Sequence, residues 1–262
     1  MVNANTKMHM DRRAFIESAG TALSFAAFGH KRLTIDESRP IRAVAFDGYA
    51  IFDATATVAV AESIFPGKGR DLVNAWRARQ FDYQWLRTLG GRYADFAQTA
   101  ADSLSFTLKS LALSVHPEER DRLLEAQLAL TPWTDASGQI ARMRKAGLRL
   151  SFLSNMTERM LDEGARRAGF RDQFEFVLSA DRVRAVKPDP RAYRMAVDAF
   201  GLSSKEIAFV AFAGWDAAGA TWFGYETAWA NRLGLAAEDL DAAPTIVCRN
   251  LSDVAEFLTN RG

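Results

Sequence analysis

The chain has 262 residues, enough for one large domain or for a core with a smaller module. Its 33 Lys and Arg residues nearly balance 32 Asp and Glu residues, so the net charge of +1 gives no argument for a nucleic-acid partner. The single cysteine, Cys248, excludes an internal disulfide and any multi-cysteine metal site.

Residues 1–40 differ in composition from the rest of the chain. Arg12 and Arg13 precede a mildly apolar stretch, residues 18–29, which a basic cluster follows at residues 30–32. This order is similar to a twin-arginine export signal, which would place the protein in the periplasm. The alternative is a frayed tail or short amphipathic helix on a cytoplasmic protein. The apolar stretch is too short to span a membrane, so we expect no membrane partner.

From Ile41 onward, short apolar runs alternate with helical patterns. The apolar runs predict strands within residues 41–52 (broken by a turn at Asp47-Gly48), 148–153, 176–179, 207–213, 227–230 and 245–248. The helical patterns cover residues 135–146, 157–168, 190–200 and 251–258. This alternation predicts an α/β fold, a Rossmann-like parallel sheet with helices on both faces. Such sheets bind ligands at the carboxyl ends of their strands.

Residues 54–133 interrupt the alternation with helical patterns and no convincing strand. One predicted apolar face carries Leu72, Trp76, Arg79, Tyr83 and Leu86, and two others carry residues 100, 104, 108 and 111, and residues 123, 127 and 130. We therefore predict a helical cap over residues 54–133, inserted into a core made of residues 41–53 and 134–262.

Asp47 stands at the end of the first apolar run, where a desolvated carboxylate is costly unless it is compensated. By position alone it is either a functional group or an aspartate that caps a turn or helix. Further polar groups follow later strands: Ser154-Asn155, Lys187 and Asp216. Because the carboxyl ends of parallel strands meet at one edge, all of these side chains are expected to converge on Asp47.

With these motifs the sequence resembles the haloacid dehalogenase superfamily and, within it, the (S)-2-haloacid dehalogenases. The resemblance extends from Ile41 to about Leu258. Its most specific stretches are residues 65–69 (FPGKG), 75–80 (AWRARQ), 83–87 (YQWLR), 153–155 (LSN), 186–193 (VKPDPRAY) and 215–220 (WDAAGA).

The resemblance implies hydrolysis of a short 2-haloalkanoic acid or haloacetate to a 2-hydroxy acid. Asp47 would displace the halide and form an ester, which water would then cleave with the help of Asp216. Lys187 would keep Asp47 ionised through charge pairing. The remaining implied roles are binding of the substrate carboxylate by Ser154 and the backbone of Gly48 and Tyr49, binding of the halide by Arg77, Asn155 and Trp215, and support by Tyr193.

The same resemblance implies no metal and no cofactor. Phosphatases of the superfamily carry an acid two residues after the nucleophile, where this chain has Tyr49. They also use a further magnesium-binding aspartate, and its position here is Phe212. Because Mg²⁺ needs several oxygen ligands, the sequence argues against magnesium-dependent phosphoryl transfer. A phosphatase-like hydrolase with altered metal use is the alternative within this fold.

The chain also departs from the family's usual pattern. The segment after Tyr49 reads Ala50-Ile51-Phe52-Asp53, one residue shorter than usual and without the usual threonine. Phe212 and Ala213 stand where a serine and an asparagine are common. A more apolar site would favour a smaller or different substrate, raise the pKa of Asp216, or abolish turnover and leave a carboxylate-binding protein. Relatives commonly form homodimers, and we expect one here.

Overall fold

The central strand, β1, is Ala43–Phe46, and all four of its residues are buried. A strand covered on both faces is typical of a parallel sheet with helices on each side. The computed structural model describes residues 40–53 and 55–260. The further strands in this part of the chain are Arg149–Ser154 (β2), Phe176–Ser179 (β3), Ile207–Ala211 (β4), Glu226–Ala230 (β5) and Ile246–Cys248 (β6). The six strands are parallel and pair in the order β3-β2-β1-β4-β5-β6.

The helices of the core alternate with these strands, as the sequence predicts. They are Gly48–Ile51 (α1), Ala136–Lys145 (α6), Glu158–Arg167 (α7), Pro190–Phe200 (α8), Gly214–Phe223 (α9) and Leu251–Thr259 (α10). Between α1 and α6 the chain forms Ala56–Ile64 (α2), Gly69–Leu89 (α3), Phe96–Ser110 (α4) and Pro117–Leu128 (α5). The predicted fold class, a Rossmann-like parallel sheet with additional helices, is confirmed.

Alternate residues of β1 face two separate cores. Val44 and Phe46 pack with apolar side chains of α6, α7 and α10. Ala43 and Ala45 pack with those of α8 and α9 on the opposite face. Successive side chains of a strand point to opposite faces, so a continuous apolar run is what a doubly covered strand requires.

The strand order reverses direction at β1. From β1 the chain first builds β2 and β3 on one side, then returns to build β4, β5 and β6 on the other. The crevice at such a switch point, beyond the carboxyl ends of the strands, is where open α/β sheets bind ligands. Asp47 directly follows β1 and therefore lies at this crevice.

Helices α2 to α5 pack around a third apolar cluster, which includes Ala61, Leu72, Trp76, Leu104 and Leu123. Two side chains from the same stretch, Phe96 and Leu130, pack instead into the core beside α6 and α7. A cap over residues 54–133 stays our reading of this arrangement.

The predicted apolar face of α3 is wrong beyond its first two turns. The buried side chains follow a spacing of four residues, Leu72, Trp76, Gln80 and Gln84, whereas Leu86 is 62% exposed. Two glutamine amides continue the buried stripe, so a search for apolar residues alone assigned the wrong face.

Two local features differ from the sequence prediction. The predicted turn after Asp47 is a single helical turn, α1, and α9 is absent from the predicted helices. Helix α9 is rich in alanine and glycine, which give little amphipathic pattern, but Ala217 and Ala220 are buried against the sheet. Tertiary packing stabilises this helix, and Gly224 ends it in the left-handed conformation.

The predicted tail or export signal lies, apart from Pro40, outside the described residues. Across residues 40–53 and 55–260, none of the helices combines the length and apolar character needed to cross a membrane.

Gly69 allows α3 to approach α2 closely. A Cβ atom on Gly69 would lie 2.3 Å from the Glu62 amide nitrogen and 2.5 Å from the Ala61 carbonyl carbon. Because both are backbone atoms, we expect Gly69→Ala to destabilise the protein by about 2–3 kcal/mol and to lower the Tm by about 5–10 °C.

Gly138→Ala is the matched control, because a Cβ on this residue of α6 would meet no atom within 4 Å beyond its chain neighbours and the backbone of its own helix. This exposed helical site should gain about 0.5–1 kcal/mol from the change. Thermal unfolding of both variants checks the prediction, and a Gly69→Ala protein as stable as the wild type contradicts it.

Candidate active site

Asp47 links the end of β1 to the start of α1. Its backbone amide donates to the Val210 carbonyl at 2.9 Å and so continues the pairing of β1 with β4. Its carboxylate Oδ2 accepts from the Tyr49 amide at 3.0 Å and caps α1. The side chain keeps 13% of its surface exposed. Asp47 is thus both a capping aspartate and a carboxylate that remains open on one side.

Lys187 is buried between two carboxylates. Its Nζ lies 2.9 Å from Asp47 Oδ1 and 2.6 Å from Asp216 Oδ2, and its side chain is 1% exposed. Burial lowers the pKa of Lys187, but the charges of Asp216 and Asp47 more than offset burial and the net shift is upward. Lys187 is therefore an ammonium ion at neutral pH that pairs with both carboxylates.

The backbone of Lys187 is fixed from two directions. Asn155 Oδ1 accepts from the Lys187 amide at 2.8 Å, and Asn155 Nδ2 donates to the Lys187 carbonyl at 3.5 Å. Trp85 Nε1, on α3, donates to the same carbonyl at 3.0 Å. Asn155 follows β2 and Trp85 lies on α3, so two separate segments of the chain position the lysine.

Asp216 lies in the first turn of α9 and is 1% exposed. Burial raises the pKa of Asp216 to about 6, and the positive charge of Lys187 offsets only part of that effect. Tyr193 Oη donates to Asp216 Oδ1 at 2.7 Å. Burial and the neighbouring Asp216 hold the pKa of Tyr193 well above its ordinary value, so its hydroxyl remains a donor. Asp216 is consequently an oriented carboxylate with a raised pKa.

A cavity of about 90 Å³ opens in front of Asp47. Phe81, Phe96, Phe212 and Trp215 give it mostly apolar walls. The rest of the lining is Asp47, Tyr49, Arg77, Gln80, Gln127, Ser154, Asn155, Met156, Ala213 and Asp216. Charges in a cavity with such walls are poorly screened, so an anion inside it interacts strongly with any nearby cation.

Arg77 supplies that cation from α3. Its guanidinium carbon lies 6.0 Å from the centre of the Tyr49 ring. Its Nε is buried and, within the described part of the chain, has no hydrogen-bond partner. A buried N–H on a cation is costly to leave unpaired. Arg77 therefore offers a donor suited to a small anion in the cavity.

Ser154 and Gly48 lie in contact beside Asp47. Ser154 Oγ lies 3.5 Å from Asp47 Oδ1 and accepts from the Met156 amide at 3.3 Å. A Cβ on Gly48 would lie 3.0 Å from Ser154 Oγ and 2.6 Å from Met156 Sδ. A glycine is needed here because any side chain would push Ser154 and Met156 away.

Trp215 forms an aromatic wall together with two residues of α3. Its ring centre lies 5.4 Å from those of Phe81 and Trp85, with edge-on geometry. Since Trp85 also bonds to the Lys187 carbonyl, this wall connects the cavity to the lysine segment.

The structure brings together all ten residues that the sequence singled out. Seven line the cavity directly, namely Asp47, Tyr49, Arg77, Ser154, Asn155, Trp215 and Asp216. Gly48, Lys187 and Tyr193 stand one contact behind them.

Sequence reasoning did not assign five lining residues to the site: Gln80, Phe81, Phe96, Gln127 and Met156. Gln80 had a usable signal, because it lies three residues after Arg77 on the same helix. Gln127 had no such sequence signal, because it reaches the site through the packing of α5. Its Nε2 donates to Tyr49 Oη and to Gln80 Oε1, both at 3.3 Å.

The structure also shows which possible metal ligands lie at the site. The ring of Phe212 packs 5.9 Å from that of Tyr49 and offers no oxygen ligand. Within residues 40–53 and 55–260, no three His, Cys, Asp or Glu side chains are grouped so as to hold a metal ion.

Comparison with known proteins gives a consistent result. The family model for haloacid dehalogenase-like hydrolases matches residues 21–224. An (S)-2-haloacid dehalogenase from Pseudomonas sp. (strain YL) is 38% identical over 218 residues, which cover 83% of this chain and 94% of that protein.

Two solved structures are similar over almost their whole length. The crystal structure of an L-2-haloacid dehalogenase matches with a TM-score of 0.82 at 38% identity and covers 84% of this chain and 99% of its own. An L-2-haloacid dehalogenase from Xanthobacter autotrophicus, with chloropropionic acid covalently bound, matches with a TM-score of 0.76 at 31% identity. It covers 83% of this chain and 98% of its own. This chain therefore belongs to the haloacid dehalogenase-like hydrolases and, among them, to the (S)-2-haloacid dehalogenase family.

Proposed function

We propose that the protein is a hydrolytic dehalogenase that converts short (S)-2-haloalkanoic acids, or haloacetates, to 2-hydroxy acids. The observation that carries the proposal is the Asp47–Lys187–Asp216 array beside a small apolar cavity into which Arg77 brings a buried, unpaired donor. The names of the relatives support the same chemistry, as does the covalent chloropropionic acid in the Xanthobacter autotrophicus structure.

In the first step, a carboxylate oxygen of Asp47 attacks C2 of the substrate from the side opposite the halogen. The new C–O bond forms as the carbon–halogen bond breaks, and the bonding pair leaves with the halide. A halide needs no proton to depart, so donors and a dry pocket suffice. We assign halide binding to Arg77, with Asn155 and the ring edge of Trp215 beside it.

In the second step, water attacks the carbonyl carbon of the Asp47 ester. Asp216 accepts a proton from that water, the tetrahedral intermediate releases the 2-hydroxy acid, and the Asp47 carboxylate is restored. The product hydroxyl takes up one proton, so the net reaction consumes one water and yields one halide and one proton. The cation of Lys187 lies beside Asp216 while Asp47 is an ester, and beside both carboxylates once Asp47 is restored.

The substrate carboxylate is assigned to Ser154 and to the backbone of Gly48 and Tyr49. The Tyr49 amide already donates to Asp47 Oδ2 at 3.0 Å. Tyr49 therefore contacts the nucleophile and also lies in the region assigned to the substrate carboxylate. The close approach of Gly48 to Ser154 supports a shared position for these groups.

We also propose that the protein forms a homodimer. Leu86 and Leu89, near the end of α3, are 62% and 85% exposed, which is unusual for large apolar side chains in one helical turn. A second copy of the chain packed on this patch would remove both from water.

We also propose that the protein is exported, on the evidence of Arg12 and Arg13. Their order relative to the apolar stretch and the basic cluster is similar to a twin-arginine signal, which implies a periplasmic enzyme.

Asp47→Asn removes the nucleophile while keeping the size of the side chain. We expect halide release from (S)-2-chloropropionate to fall by at least about 1,000-fold, equivalent to about 4 kcal/mol of transition-state stabilisation. Free halide is measured with chloro-, bromo- and fluoroacetate and both enantiomers of 2-chloropropionate, and intact-protein mass spectrometry detects the ester.

Asp121→Asn is the control for this substitution, since Asp121 is 69% exposed on α5. It should release halide at the wild-type rate. A wild-type protein that neither releases halide from any of these acids nor traps an ester refutes the proposed function.

The pKa of Asp216, about 6, predicts how activity depends on pH. Asp216 must be ionised to accept a proton from water, so ester hydrolysis should fall as pH drops towards the pKa of Asp216. The charge of Asp47 helps to raise that pKa and is absent in the ester, so the acidic limb should lie below pH 6. The hydrogen bond from Tyr193 lowers the pKa of Asp216. Tyr193→Phe removes this bond, and the acidic limb of the kcat profile should move to higher pH.

Tyr83→Phe serves as the matched control, because Tyr83 lies outside the cavity lining and packs against Phe106. Its pH profile should match the wild type. An acidic limb that stays in place, or moves to lower pH, in Tyr193→Phe argues against Asp216 as the base.

A further inference from the structure

The single-turn helix α1 has a donor on every one of its four carbonyls. The Phe52 amide donates to the Gly48 carbonyl at 2.8 Å. Trp133 donates twice, from Nε1 to the Tyr49 carbonyl and from its amide to the Ile51 carbonyl, both at 3.0 Å. The fourth carbonyl, on Ala50, accepts from Arg232 Nε at 3.3 Å and Nη2 at 3.2 Å. A helix of one turn cannot satisfy its own carbonyls, so these outside donors hold it in place.

Arg232 is itself held rigidly. Its side chain is 8% exposed, and its Nη2 lies 2.9 Å from Asp135 Oδ1. Its guanidinium carbon lies 4.8 Å from the centre of the Trp133 ring. Asp135 is anchored in turn, because its Oδ2 accepts from the Leu251 amide at 2.9 Å. The cation therefore stands at the negative end of α1 with little freedom to move.

Neither Trp133 nor Arg232 lines the cavity, and the proposed mechanism uses neither. Yet both bind the turn that begins with the nucleophile. Asp47 Oδ2 is bonded to the Tyr49 amide, and Trp133 holds the Tyr49 carbonyl on the other side of the same residue. A displacement of this turn is transmitted to the carboxylate through one residue.

We propose that Trp133 and Arg232 are positioning residues that fix α1, and with it the attacking oxygen of Asp47. This inference rests on the proposed dehalogenase function. Residues 50–52 carry no polar side-chain atom. No side chain of these residues can therefore hydrogen-bond to the turn, and Trp133 and Arg232 supply those hydrogen bonds from outside it. In-line attack depends strongly on geometry, and a misplacement of about 1 Å can reduce the rate by about 100-fold.

Trp133→Phe tests the proposal, because it keeps an aromatic ring beneath Arg232 and removes the Nε1 donor together with part of the indole. We expect kcat for halide release to fall by about 10- to 100-fold, with KM changed by less than about threefold, because Trp133 does not touch the cavity. The single-turnover rate of ester formation should fall with kcat. Hydrogen exchange of the peptide that contains residues 47–52 should become faster.

Arg232→Lys is the second variant. It keeps the positive charge near Asp135 but loses the planar two-nitrogen donation to the Ala50 carbonyl. It should reproduce the kcat-selective loss and the faster exchange. Trp222→Phe is the control for the loss of an indole, because Trp222 is 57% exposed on α9, and both readouts should match the wild type.

Exchange at the wild-type rate in Trp133→Phe overturns the proposal whatever the enzyme's activity. In a wild-type enzyme that releases halide, faster exchange with unchanged kcat also overturns it, because the turn would then move without affecting attack. Failure of the wild type to release halide refutes the proposed function instead, and the exchange measurement still decides whether Trp133 and Arg232 hold the turn.

Discussion

The contact between one buried ammonium group and two carboxylates is the constraint on which the rest of the structure depends. Taking three charges out of water is costly, and their mutual attraction repays that cost only when the geometry is good and the remaining polar atoms are paired. Here Lys187 lies within 2.9 Å of both carboxylates, Tyr193 donates to Asp216 and the Tyr49 amide donates to Asp47. The loss of any one partner would leave the others underpaired. Because of this interdependence, three separate segments of the chain must bring Asp47, Lys187 and Asp216 into contact.

The parallel sheet meets that requirement through strand order. Asp47 follows β1, and Asp216 follows the neighbouring β4 at the start of α9. Lys187 follows β3 on the opposite side, and the hydrogen bonds of Asn155 and Trp85 fix its backbone. Helix α3 contributes the Arg77 cation and the Phe81 ring, and Phe212 and Trp215, near the start of α9, add further aromatic walls to the cavity. With these walls in place, the Arg77 charge acts in an apolar cavity, where its attraction for a departing halide is weakly screened.

The parts of this arrangement that depend on local pattern could be predicted from the sequence. Apolar runs predicted the strands, most of which are buried on both faces, although Val247 of the edge strand β6 is 56% exposed. Polar groups at the strand ends pointed to the candidate site. The predictions failed where side chains take their place through packing. Helix α9 has no clear pattern and is stabilised by contact with the sheet. The buried face of α3 continues through Gln80 and Gln84, which an apolar search passes over. Residues that act through the backbone were harder still to find. Arg232 is more than 180 positions from Ala50 in the chain, and no spacing rule links it or Trp133 to Asp47.

The serine and asparagine that Phe212 and Ala213 replace leave Asp216 with fewer side-chain donors. Phe212 and Ala213 cannot donate to this carboxylate through their side chains, and burial raises its pKa to about 6. The orientation of Asp216 then depends on Lys187 and on the Tyr193 hydroxyl, at 2.7 Å. That hydroxyl reaches Asp216 only because position 219 is glycine, where a Cβ would lie 2.5 Å from Tyr193 Oη. A carboxylate that accepts fewer hydrogen bonds is more easily protonated, and it is also a stronger base when ionised. That higher basicity is an advantage for taking a proton from water near neutral pH.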